Sequence, residues 1–311
     1  MRSRVQHAEG EDGAMSEWKS AHGCTVQALC QEPLWEMLGV QPGQEFRADL
    51  HTHTTISDGS NPFAQLMGEA RVRGLSHLAV TNHDTTIGLG LVAQQAAVQA
   101  FSVVCGVEIS AWDPATRRRV HILGLGLGEE SPAVRDLCQV TLARRSANTA
   151  WQMRQLLDAG FAVDVEYAAE LAARSTGFYK QHLMAALTDA EFSSAEYQLL
   201  YKTLFKNGGI AQRDIRYVDM RDAVDAVVAD GGVAVLAHPG QFDNYESVPA
   251  LVDAGLSGIE KFHPDHDCRD TQLCEELAAR YGLFCTGGSD YHGRFGKVPY
   301  PGYRFIAGCA S

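Results

Sequence analysis

Short apolar runs of strand length alternate along this chain with longer stretches whose apolar residues recur every three to four positions. The runs at 46–53, 77–81, 101–109, 119–127, 232–238, 257–262 and 283–286 predict strands. Amphipathic stretches at 62–73, up to about Ala100, at 247–254 and at 269–281 predict helices between them. Strand alternating with helix favours a parallel sheet or barrel. Between about 128 and 227 the pattern turns helical, with one long stretch at 131–160 and shorter ones at 167–174, 182–190 and 195–205. The chain thus divides into an N-terminal extension (1–45), a first barrel part (46–127), a helical insertion (128–227) and a second barrel part (228–311). The extension is assigned no chemistry; Met15 is an alternative start, and an apolar patch runs from Val26 to Val40.

The polar residues of this pattern sit at the strand tips. His51 and His53, two apart on one strand, leave the same face and point at one spot, and Asp58 follows in a Ser-Asp-Gly turn. His83, Glu108, His238, His263 and Asp290 each fall at or just past the end of an apolar strand, and in an α/β barrel those ends converge on one rim. His121 lies on the strand at 119–127, and His292 stands two residues from Asp290, repeating the opening spacing. Nine candidate ligands follow: His51, His53, Asp58, His83, Glu108, His121, His238, Asp290 and His292. That is too many for one ion and suits two or three divalent metals. Imidazole with carboxylate fits Mn²⁺ first, with Zn²⁺ or Fe²⁺ as alternatives.

Composition narrows the class. The chain has 311 residues, 45% of them apolar, enough to bury a large core. No stretch reaches the length of a membrane span and no apolar leader is visible, so a cytoplasmic protein is expected. Eight cysteines without CxxC spacing argue against a disulfide framework or a thiolate zinc knuckle; reduced, mostly buried thiols are expected. A formal charge of −12 argues against generic nucleic-acid binding, although bound metals would attract an anionic substrate locally.

The motifs Asp-Leu-His-Thr-His-Thr with Ser-Asp-Gly, Thr-Asn-His-Asp, Gly-Val-Glu-Ile-Ser, Val-His-Ile-Leu-Gly-Leu, Ala-His-Pro-Gly and Gly-Ser-Asp-Tyr-His run in order from 46 to 292. In these the chain resembles the PHP (polymerase and histidinol phosphatase) family. The resemblance extends to its branch of TrpH-like enzymes and 3',5'-nucleotide bisphosphate phosphatases. It implies a distorted (β/α)7 TIM-like barrel with a helical insert forming a lid on the substrate pocket, and a trinuclear site. Carried over by position, one metal takes His51, His53, Glu108 and Asp290. A second takes Glu108, His121 and His238, and a third takes Asp58, His83 and His292. Two departures stand out. Asn82 replaces the usual aspartate before His83, removing a negative charge near the third metal. Phe178-Tyr179-Lys180-Gln181-His182 replaces Gly-Arg-Pro-His, which puts a point charge at Lys180 where the family has a planar fork.

The implied chemistry is a metal-dependent phosphoesterase on a small phosphorylated metabolite: a nucleotide bisphosphate, a sugar phosphate or a cyclic phosphate. A hydroxide bridging the metals would attack phosphorus. His263 is the first candidate general acid and His182 the second, and either has the alternative of only contacting substrate. Asp84 reads as an acceptor orienting a ligand imidazole. Arg144, Arg145 and Asn148 on the long insert helix, with Lys180, are candidates for a second phosphate, while Arg117, Arg118 and Arg119 read as a solvated turn, with contact to substrate as the lesser alternative. The competing functions are 5'-3' exoribonuclease action on short RNA, amidohydrolase chemistry on the same metals, and a non-catalytic domain that offers a partner surface. The oligomeric state is not legible.

Overall fold

The computed structural model describes residues 32–309, so Met15, Cys24, Cys30 and the start of the apolar patch lie outside the described residues. The chain runs α1 (Glu32–Leu38), β1 (Glu45–Asp49), α2 (Phe63–Val72), β2 (His77–Val80), α3 (Leu89–Val98), β3 (Ser102–Asp113) and β4 (Arg118–Leu125). Four helices follow: α4 (Pro132–Asp158), α5 (Val165–Ala173), α6 (Lys180–Ala185) and α7 (Ala195–Phe205). Then come β5 (Val218–Asp219), α8 (Met220–Ala229), β6 (Val233–Leu236), α9 (Pro239–Phe242) and α10 (Val248–Asp253). The chain finishes with β7 (Gly258–Phe262), α11 (Cys268–Tyr281), β8 (Phe284–Gly287) and β9 (Ile306–Cys309).

The strands pair in the order β8-β7-β6-β4-β3-β2-β1-β9. The sheet then curls so that β8's continuation meets β1's. Leu50 donates to the Gly287 carbonyl at 3.0 Å, Asp290 to that of His51 at 2.9 Å, and His53 to that of Tyr291 at 2.9 Å. These bonds make the mixed α/β sheet a nearly closed barrel of β1, β2, β3, β4, β6, β7 and β8. The strictly parallel reading needs correction at one strand. β4 runs antiparallel to both β3 and β6, with Ser110 opposite His121 and Leu123 opposite Val235. Only residues 114–117 join β3 to β4, too few for the crossover a parallel pair requires. β9, unforeseen in the sequence, lies antiparallel on the outer edge of β1.

One core cluster holds α8, α10 and α11 against the sheet through Val224, Val227, Leu251, Cys274 and Ala278 on Ile109, Ile122 and Ile259. A second places Leu34 and Leu38 of α1 against Phe46, Val104 and Val235, so the end of the N-terminal extension belongs to the barrel core. α4 bridges two bodies of packing. Its Val134 and Cys138 join the barrel, while Leu156 joins Leu183, Met184, Tyr197, Leu204 and Phe205 in a separate insert core. Because α8 packs on the barrel, the part with its own core is shorter than 128–227. α6 also stops short of the helix expected over 182–190: the Thr188 hydroxyl takes the Ala190 N–H at 3.1 Å and turns the chain. No disulfide occurs among the described residues; Cys138, Cys274 and Cys285 are buried and Cys268 is exposed. No helix among them is long and apolar enough to cross a membrane.

Candidate metal centre and active site

His51 and His53 lie just beyond β1, where the barrel-closing bonds hold the chain extended and direct both imidazoles inward. Gly288 permits this closure, since a Cβ there would collide with the Cβ and backbone N of His51. Glu108 of β3, 1% exposed, is the hub. Its Oε1 lies 2.6 Å from His121 Nδ1 and 2.9 Å from His238 Nε2. Its Oε2 lies 3.1 Å from Nε2 of His51 and of His53, and 3.2 Å from Nδ1 of His83. Asp290 Oδ1 stands 3.5 Å from His51 Nε2 and 3.2 Å from His53 Nε2. On the other side of His53, Asp58 Oδ1 is 3.6 Å from His53 Nδ1 and 3.4 Å from His292 Nε2, and Asp58 Oδ2 is 3.9 Å from His83 Nε2. Three sets of mutually close donor atoms result: His51, His53, Glu108 and Asp290; His83, Glu108 and His121; and His53, Asp58, His83 and His292. All nine sequence-predicted ligands therefore meet. The grouping differs from expectation in that His83 adjoins two sets, His53 joins the Asp58 set, and His238 touches Glu108 from outside the three.

The donor set fits divalent cations on a specific observation. His51 Nε2, both nitrogens of His53, His83 Nδ1 and Glu108 Oε2 are buried and, despite their proximity, make no hydrogen bond. Buried polar atoms without partners are rare and costly, so atoms aimed together at one volume are suited to a shared electrophile. The electrostatics agree. Burial alone would raise the Glu108 carboxyl, but His83, His51 and His121 hold it well below the usual carboxylate range. Burial pushes His83 down to about 3 against the pull of Glu108 and Asp58, which leaves a neutral imidazole with a lone pair to give. His292 moves the other way, to about 9, because Asp58 and Asp290 outweigh its burial. Asp84, His238 and Asp290 also carry positive φ angles of 52°, 27° and 51°, local strain at the site.

The remaining candidates separate. His263 enters the centre: its Nε2 lies 3.6 Å from Asp290 Oδ2, and its ring sits 5.0 Å from that of His238. The Asp265 backbone N–H donates to His263 Nδ1 at 3.1 Å, so the neutral ring carries its proton on Nε2, facing the cluster. His182 has no such freedom. Its Nδ1 accepts from the Tyr179 N–H at 3.4 Å and its ring donates to the Ser57 carbonyl, so it braces α6 against the Asp58 turn. Asp84 binds Arg145 at 2.7 Å and the Ser110 N–H at 2.9 Å, where an imidazole was expected. Asn82 Oδ1 accepts from the Thr54 N–H, the Thr54 hydroxyl and the Ser57 hydroxyl, fixing the loop that carries Asp58.

Beside the cluster lies a cleft of about 280 Å³ lined by Arg119, Arg145, Asn148, Lys180, Tyr201 and Tyr217, among others. Arg145 spans the two regions, with Nη2 also 2.7 Å from Ser110 Oγ and its buried Nε without a partner. Lys180 is held at 5.7 Å from the Tyr201 ring and 5.5 Å from the Phe205 ring, and burial lowers its ammonium to about 8. Asn148 Oδ1 accepts from Arg213 Nε at 2.6 Å. Arg144 turns away to the Arg216 carbonyl at 2.9 Å and does not line the cleft. The solvated-turn reading of the three arginines fails for two of them, which lie on β4. Arg118 pairs with Asp243 at 2.9 Å, and Arg119, two residues before His121 on one strand face, reaches the cleft.

Two further residues escaped the sequence. Glu260 of β7 lies 3.2 Å from His51 Nδ1 and accepts from the His238 backbone N–H at 2.9 Å, so it sets the His51 ring and the backbone of His238. Asp49 accepts from the Ser289 N–H at 2.9 Å, the Ser289 hydroxyl at 2.6 Å and the Gly302 N–H at 2.6 Å, locking the loop that presents Asp290. Their signal was a carboxylate inside an apolar run, at the rim end of a strand.

The chain matches the PHP domain over residues 49–211. It is 57% identical over 259 residues to a phosphoribosyl 1,2-cyclic phosphate 1,2-diphosphodiesterase from Eggerthella lenta, covering 83% of this chain and 99% of the relative. It is 29% identical over 250 residues to a 3',5'-nucleoside bisphosphate phosphatase from Chromobacterium violaceum, covering 78% of this chain and 86% of the relative. A solved structure of a Chromobacterium violaceum protein described as an amidohydrolase, with bound sulfate and no metal, aligns at a TM-score of 0.70 and 27% identity, over 83% of this chain and 93% of that one. With its barrel, its histidine and carboxylate cluster and these relatives, the chain belongs to the PHP family of metal-dependent phosphoesterases.

Proposed function

We propose that this phosphoesterase opens a cyclic phosphodiester on a phosphorylated ribose, holding the reacting phosphorus at the His/Glu/Asp cluster and the second phosphate in the adjoining cleft. The observation carrying this reading is the pairing itself: buried, partnerless donors around Glu108 beside a cleft rich in guanidinium and ammonium. The cleft's volume suits one sugar phosphate better than an oligonucleotide, which favours a small metabolite over RNA. The Eggerthella relative's substrate is of this kind.

Two or three divalent ions, Mn²⁺ first, would be held by His51, His53, Asp58, His83, Glu108, His121, His238, Asp290 and His292. When bound they supply an acidified water and positive charge at phosphorus. The protein's own groups do the rest. Glu260 fixes the His51 ring from behind, and Asp49 fixes the loop of Asp290. Arg145, tied to Asp84 and Ser110, lines the cleft and brings its charge to the non-reacting phosphate, and Lys180 adds a second charge there. His263 presents its Nε2–H as a hydrogen-bond donor to the oxygen that leaves phosphorus when the ring opens, and that oxygen takes its proton from water. The insert carries Lys180 and roofs the cleft as a lid.

Metal-loaded protein given a 5-phosphorylated ribose 1,2-cyclic phosphate, a nucleoside 3',5'-bisphosphate, a short RNA and an amide tests this. The cyclic phosphate should be turned over with the highest kcat/KM. Preferred release of mononucleotides, or ammonia without phosphate, would contradict it.

A further inference from the structure

The sequence reads Arg119 as solvated, with substrate contact only as the lesser alternative, yet it is a better-built ligand than a surface arginine. β4 carries it on the face that carries His121, about 7 Å further along the strand. Its guanidinium is ion-paired to Asp214 and lies 5.3 Å over the Tyr217 ring, while the Tyr217 hydroxyl donates to Asp214 at 2.7 Å. A long flexible side chain is thus fixed in the wall of the cleft that Arg145 and Lys180 also line. The charges there do not balance: Arg119, Arg145 and Lys180 all line the cleft, and Asp214 is its one carboxylate among the lining residues. Asp84, outside the lining, is already bonded to Arg145. The surplus charge of the lining is positive.

We propose that Arg119, held in place by Asp214, is the specificity-determining contact for a terminal phosphate monoester bound in the cleft with Arg145 and Lys180. This rests on the proposed function and names the residue that selects a phosphorylated sugar over an unphosphorylated one. A planar fork already anchored on one edge by a carboxylate presents its other edge to phosphate with little further loss of freedom. Asp214 acts through Arg119 and is a positioning residue.

The test compares ribose 1,2-cyclic phosphate with and without its 5-phosphate in metal-loaded enzyme. Arg119→Ala should raise KM for the phosphorylated substrate about 10- to 100-fold. It should leave kcat, and both constants for the unphosphorylated substrate, within about twofold. Arg119→Lys, which keeps charge and packing, should show the same direction with a smaller effect, and Asp214→Asn should fall between wild type and Arg119→Ala. Equal losses on both substrates, or no loss on either, would overturn the assignment. Titration of inorganic phosphate into metal-free protein is the independent arm: wild type should bind more tightly than Arg119→Ala, and equal affinities would overturn the proposal. If neither cyclic substrate is turned over by wild type, the proposed function fails while this binding comparison still decides the role of Arg119.

Discussion

At the rim, imidazoles and carboxylates from strand ends far apart in sequence crowd together, and several of their donor atoms make no hydrogen bond. In the cleft beside it, the cations are already half-engaged: Arg119 with Asp214, Arg145 with Asp84 and Ser110, Lys180 with two aromatic rings. The contrast separates two tasks. Partnerless donors on a closed barrel wait for an electrophile and tolerate little change. Half-satisfied cations borne largely by the insert grade affinity for whatever phosphate enters, and can vary without dismantling the reaction centre.

The largest expected effect tests the first half of that contrast. Glu108→Gln removes the charge that faces five imidazoles, and should cut kcat/KM on the order of 1000-fold or more while lowering bound metal, measured on the same sample. A variant that keeps its metal and its rate would break the comparison. Next, Glu260→Gln loosens His51 without touching the cluster's inner atoms, and should weaken metal affinity about 10- to 100-fold by calorimetric titration. Lys180→Gln probes the cleft: KM should rise about tenfold with kcat little changed. The pH dependence follows in sign. Burial holds the free ammonium's pKa near 8, so it is charged below that pH and neutral above; KM of the wild type should therefore rise as pH passes about 8, and the variant should lose that rise. The smallest effect belongs to Arg144, bonded to a backbone carbonyl away from the cleft; Arg144→Ala should change KM by less than about twofold.

The nine cluster residues were legible because most are a histidine or acid at a strand end, conspicuous against an apolar run, and the spacing of two at His51/His53 and at Asp290/His292 gives direction; Asp58 in its turn and His121 within β4 followed from the motifs around them. Glu260 and Asp49 were not, because barrel strands are buried on both faces and alternation cannot say which side a lone carboxylate takes. Arg119 was misread for a related reason. Three arginines in a row look like a solvated turn, and although the strand expected over 119–127 already put Arg119 on the His121 face, only the structure shows the cleft that Arg119 lines. The antiparallel β4 could have been found from its short link to β3. His182 shows the opposite error, a histidine near the site whose two nitrogens are occupied by backbone groups, which a sequence does not record.

The central claim is that one barrel rim binds several divalent cations through these side chains. Metal-free protein loaded with Mn²⁺, cleared of excess and analysed for metal per chain tests it directly. The account predicts two or three equivalents, reduced in Glu108→Gln; retention of one or none in the wild type, or an unchanged count in the variant, would contradict it.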